Sequence, residues 1–256
     1  MIKKYEFTGE VNNSGLKRIR ALKDIPFHNV KAGDLGGYLA SENNLSHMGD
    51  CWVGEEATVT GMAKVLGDAL VTYKAIVLGN AIVNGKARVL GNAVVSSSAI
   101  VDGHAIIVDN AQVRFTANVG GHAIIKGHAV ISGNSTVYNN AVVKDYATVS
   151  GDARICFNAI VGDYAAIRDN CSIIDGAIVG GSVVVRDNAR IGGNVKLSGD
   201  VKAGGNTRLF GGSVYTQGCF YDNEYSIHTG INTDVLKSDS TLAEEMLKQL
   251  MVRGTL

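Results

Sequence analysis

The chain has 256 residues, with 24 basic and 24 acidic side chains and a formal net charge of zero. That balance leaves no electrostatic footprint for nucleic acid, and no apolar run approaches a membrane span, so neither partner is expected. Thirty-two glycines beside a single proline point to many turns and to a backbone whose N–H groups are nearly all needed for ladders.

Residues 3–11 and 16–25 alternate around Asn12-Asn13-Ser14-Gly15, the pattern of a β-hairpin. The first residues, MIKKYEFTGEV, lack the apolar core of a secretory leader. Cys51, Cys156, Cys171 and Cys219 form no C-x-x-C pair and read as free thiols of a cytoplasmic protein. Residues 1–45 are assigned to the hairpin and a lead-in segment. Within it Asp34, Gly36 and Gly37 read as turn formers, and His47 and Trp52 just beyond read as structural.

From Ala57 a six-residue period takes over. Stepping by six reaches Ser213 without interruption and gives 27 units. Ala occupies the first position in 20 of them, and Val, Ile or Leu stands two residues later in all but those with Ala203 and Tyr215. Strand side chains alternate, so these two positions face the same way and the residue between them faces out. Gly-Asn, Gly-Asp, Gly-His and Asp-Asn pairs often precede the first position, as at Gly91-Asn92 and Asp169-Asn170, and mark corners. A chain that turns every six residues can stack on itself as a parallel β-solenoid. Residues 46–215 are assigned to it.

Tandem [Ile/Val]-x-Gly-Asn-Ala-x units resemble the hexapeptide repeats of left-handed parallel β-helices. The stretch VKAGDLGGYLASENNLSHMGDCWV, residues 30–53, resembles the corresponding segment of YdcK-like hexapeptide-repeat proteins, a group with bacterial and phage-type members often labelled as transferases. The resemblance implies an all-β solenoid of triangular coils, three units to a coil and about nine coils. It also implies acyl transfer to a small acceptor, acetyl-CoA as a candidate cofactor, and a homotrimer.

His104 and His122 each precede a first inward position and are 18 residues apart, which stacks them on neighbouring coils. They are the candidate general base for acyl transfer; the alternative is that His merely fills a corner slot also taken by Asn, Asp, Lys and Tyr. His128 falls at the next corner. The histidine spacing departs from that of gamma-class carbonic anhydrases, and no metal site is assigned. Arg154, Arg190 and Arg208 point outward, with Arg168 and Arg186 flanking the same edge. They are candidate ligands for coenzyme A phosphates; the alternative is an ion-pair ladder with the interleaved Asp152, Asp169 and Asp187. No insertion interrupts residues 57–213, so the active-site loop of the related transferases is absent.

Sorting outward residues by face isolates one uninterrupted β-branched stripe, Ile106, Ile124, Val142, Ile160 and Ile178, bracketed by Arg88 and Lys196. Such a stripe predicts self-association. Residues 216–256 are assigned to an extension. In it the 221–230 stretch, with His228, is a candidate small-molecule pocket lining. A helix is expected over 241–253, capped by Thr241 and Glu244. Two functions stay open: an acyltransferase-like enzyme, and a non-catalytic scaffold or ligand-binding protein.

Overall fold

The computed structural model describes residues 3–221 and 224–226. A three-stranded antiparallel meander, β1 (Tyr5–Val11), β2 (Lys17–Ala21) and β3 (Leu35–Leu39), opens the chain. The third strand also pairs in parallel with Thr58–Val59, matching Leu39 to Val59, so the meander runs directly into the solenoid. From β4 (Trp52–Val53) to Arg190–Ile191 the chain forms two-residue strands, one per unit, and the strands beyond are longer, Lys196–Gly204 and Val214–Tyr221 among them. Each pairs in parallel with the strand three units on, as in the ladder Arg88, Ile106, Ile124, Val142. One stack of ten strands is separate; the other two are joined through the terminal strands.

The protein is thus an all-β parallel solenoid of about ten turns, where nine were expected. The additional turn comes from ends that keep the ladder without keeping the period. At the start, Leu39 and Leu45 lie opposite Val59 and Val65, because two additional residues are inserted before Cys51. At the far end the register tightens: Leu197 faces Tyr215, then Val201 faces Gly218 and Leu209 faces Tyr225. Among the described residues the helical turns are two 3-10 turns, Pro26–His28 and Glu42–Asn44. The helix expected over 241–253, and His228, lie outside the described residues. Glu224–Ser226 is the end strand of the ten-stranded stack.

Both inward positions are sealed. Ala105, Ala123 and Ala141, with Ile107, Ile125 and Val143, are 0% exposed. Each buried Val or Ile contributes roughly 1.5–3 kcal/mol over its exposed state. Backbone bonds run from coil to coil, as from Ile106 N to Ala123 O at 2.9 Å, which is why proline is nearly missing.

The corner residue two before each first inward position is left-handed, even where it is Tyr73, Phe115 or Phe157. Six aspartates occupy such corners: Asp109, Asp145, Asp163, Asp169, Asp175 and Asp187. Each accepts the backbone N–H of the corner one coil on, for example Gly181 N to Asp163 at 2.7 Å and Gly205 N to Asp187 at 2.8 Å. The coil-to-coil ladder does not use these N–H groups, so the carboxylates satisfy donors that the repeat would otherwise leave to solvent.

Gly36 and Gly37 are not turn residues. They lie within β3 with ordinary strand geometry, and a Cβ at Gly36 would meet Ile19 and the Val53 carbonyl at 2.6 Å. Glycine is needed there for close approach of the meander to the first coil. Asp34 does act in a turn, accepting Lys31 N at 2.7 Å.

Candidate functional site

The two candidate base histidines do meet. The rings of His104 and His122 stack at 4.7 Å with planes 17° apart, and both are exposed at a corner. Repetition in register forces this, because side chains at equivalent corners stand one strand spacing apart. His128 stacks instead on Tyr146, and Tyr146 on Tyr164, along a second corner. Asparagines form similar ladders, Asn92 to Asn110 and Asn170 to Asn188. The histidine pair therefore belongs to a general pattern of stacking between side chains at equivalent corners.

The arginines are spread along the later coils. Arg154, Ser172, Arg190 and Arg208 follow one another up the ten-stranded stack. Arg168 and Arg186 stand just before the corner that leads onto that face. Arg186 reaches the Tyr221 hydroxyl at 3.2 Å, lies over its ring at 5.3 Å and approaches Asp187 at 3.7 Å. Among the described residues the expected ion-pair ladder reduces to that single Arg186–Asp187 contact: Asp169 and Asp187 accept backbone N–H groups from neighbouring coils, and Asp152 accepts from the Asn134 amide at 2.8 Å.

The aliphatic stripe is continuous. Ile106, Ile124, Val142, Ile160 and Ile178 are successive partners in one ladder, and all five are half-buried. Arg88 precedes them and Lys196 follows. At about 4.8 Å per strand the stripe runs roughly 20 Å.

The densest chemistry lies under the meander, where the first coil is closed off. Lys4 is fully buried; its Nζ meets the Cys51 sulfur at 3.1 Å and donates to the Gly49 carbonyl at 3.2 Å. Cys51 occupies a first inward position and is also fully buried. Burial lowers the Lys4 pKa, and burial raises that of Cys51, with Lys4 pulling the thiol the other way. Tyr5 is buried beside them, its hydroxyl donating to the Glu42 and Leu45 carbonyls at 3.1 Å.

His47 stacks on Tyr5 at 4.5 Å, and its Nδ1 accepts the Lys4 backbone N–H at 3.2 Å. That bond puts the proton of the neutral ring on Nε2, a buried atom with no hydrogen-bond partner. Burial is the largest cause of its lowered pKa. His47 also lines a groove of about 510 Å³ together with Ser41, Glu42, Met62 and Lys64.

No protein-family model matches the chain, and no curated protein matches it. Among the described residues no helix is long and apolar enough to cross a membrane, and no three His, Cys, Asp or Glu side chains are grouped to hold a metal ion. Sequence reading missed the Lys4, Tyr5, His47, Cys51 cluster. Its one visible signal was that Cys51 falls on the six-residue register.

Proposed function

We propose that the protein is a self-assembling solenoid scaffold, of the left-handed, triangular hexapeptide-repeat kind found in YdcK-like bacterial and phage-type proteins. The single observation that carries the reading is the in-register aliphatic stripe from Ile106 to Ile178 on an outer face. On an isolated prism it would keep its aliphatic side chains partly in water. Packed about an axis parallel to the prism, it becomes the centre of an interface between identical subunits. A homotrimer in the cytoplasm is the assembly proposed, and free thiols at Cys51, Cys156, Cys171 and Cys219 accord with that compartment.

Light scattering at micromolar concentration tests the reading. The wild type is expected to be trimeric, and Ile124→Arg with Ile160→Arg to be monomeric or insoluble. A monomeric wild type would overturn it.

A second reading, acyl transfer with acetyl-CoA as donor, draws on the stacked, exposed His104 and His122. In that reading one imidazole is the base, and the outward arginines Arg154, Arg168, Arg186, Arg190 and Arg208 face the coenzyme phosphates. Calorimetric titration with acetyl-CoA discriminates the two: heat of binding that is lost in Arg190→Ala favours the enzyme, and no heat favours the scaffold.

A further inference from the structure

Lys4 and Cys51 are an unusual pair to bury together. Both side chains are fully buried, their reactive atoms are 3.1 Å apart, and among the described residues no carboxylate forms an ion pair with Lys4. An ammonium without a counter-ion is costly in such a place. A neutral amine is not, and it brings a lone pair to the sulfur. Among the described residues the other polar atoms that Cys51 Sγ meets are carbonyl oxygens, those of Ser46 and Val65 at 3.5 Å and Met48 at 3.8 Å. Cys156, Cys171 and Cys219 belong to coils far along the stack, so Cys51 has no thiol of its own chain within reach.

We propose that Lys4 and Cys51 are a covalent modification site: peroxide oxidation joins Nζ to Sγ as a sulfenamide and fastens the N-terminal meander to the first coil. In the first step the Lys4 amine, 3.1 Å away, takes the Cys51 proton; the thiolate so formed takes one oxygen from hydrogen peroxide as the O–O bond breaks, and the released hydroxide recovers the proton from Lys4, giving a sulfenic acid, water and the neutral amine. The Lys4 lone pair then attacks the sulfur. The S–N bond forms, the S–O bond breaks, and the departing hydroxide takes a proton from nitrogen to leave as water. Overall one thiol, one amine and one peroxide give one sulfenamide and two waters. Sulfur loses two electrons and the peroxide gains them. The lowered pKa of Lys4 favours the neutral amine that this attack requires. A thiol reductant cleaves the S–N bond and restores both side chains, so the link is reversible.

The test uses the full-length protein, treated with hydrogen peroxide, alkylated under denaturing conditions, digested and mapped by mass spectrometry. The expected product is a peptide pair joined through Lys4 and Cys51, lighter by about 2 Da than the two reduced peptides and separated by dithiothreitol. Lys4→Met should give no joined pair and should leave Cys51 as an ordinary sulfenic or sulfinic acid. The oxidised wild type should also melt at a higher temperature than the same sample after dithiothreitol. A wild-type map with Cys51 only as free thiol, sulfinic acid or intermolecular disulfide overturns the proposal. Because that result is read on the wild type, it decides the matter even if Lys4→Met does not fold.

Discussion

The repeat body and the N-terminal meander bury their interiors by opposite means. In the body, small and β-branched residues alternate, the inward positions carry almost no polar atoms, and each corner resembles the one a coil away. Between the meander and the first coil, a lysine, a cysteine, a tyrosine and a histidine share the interior, and the histidine keeps an unpartnered nitrogen. A periodic chain can satisfy its polar groups only in ways that repeat, so it stacks equivalent corners on one another and caps corners with aspartate. Where the period breaks, unlike residues are brought together, and reactive pairs arise. The body is suited to assembly and the meander to chemistry.

The contrast should be sharpest where the two regions touch. A Cβ at Gly37 would overlap the Ala57 carbonyl and press Val53 at 2.9 Å, with backbone on one side that cannot yield. Gly37→Ala is therefore expected to cost about 3 kcal/mol or more, seen as a lowered denaturant midpoint. An unchanged midpoint would mean that the meander can lift from the first coil without loss.

Within the body, Ala123→Leu overpacks a sealed coil and should cost roughly 1–3 kcal/mol. Equal stability would show that the first inward position has room the packing does not suggest. A smaller effect is expected at the corners. Asp163→Ala removes the acceptor for Gly181 N while keeping a left-handed residue, at a cost of about 1 kcal/mol. Phe157→Gly, at a left-handed corner, should instead raise the melting temperature slightly. If both changes are neutral, the corners are less constrained than the body as a whole.

The smallest effect distinguishes the regions by acidity. The pKa of His47, and of His28 on the turn between β2 and β3, lies below the ordinary 6.5, burial being the largest cause in each. Below that value the unfolded chain binds protons that the folded chain refuses, so their contribution to stability falls as pH drops from 6.5 toward the folded pKa. Melting temperatures compared between about pH 7.5 and pH 5 should drop less in His47→Phe, which keeps the stacking on Tyr5 without the titration. An identical drop in the variant would remove His47 from the account.

The solenoid, its inward and outward faces, the hairpin and the aliphatic stripe were legible from residue spacing, because each depends on a period that one dimension records. Stacking of His104 on His122 was legible for the same reason. The role of the aspartates was not. Asp169 and Asp187 sit near arginines in sequence, and only the corner geometry shows their oxygens turned to the N–H groups of neighbouring coils. Gly36 and Gly37 carried a turn signal, yet the close approach of Ile19, Val53 and Trp52 is what requires them.

The sequence by itself determined how the chain coils, since a six-residue alternation of small, outward and β-branched residues has few other ways to bury its apolar half. Tertiary structure alone decided what the ends do. Lys4 and Cys51 are 47 residues apart, and nothing periodic relates them. Their contact exists because the meander folds back over the first coil, and a contact made by closing a single long loop leaves no repeat in the sequence from which to read it.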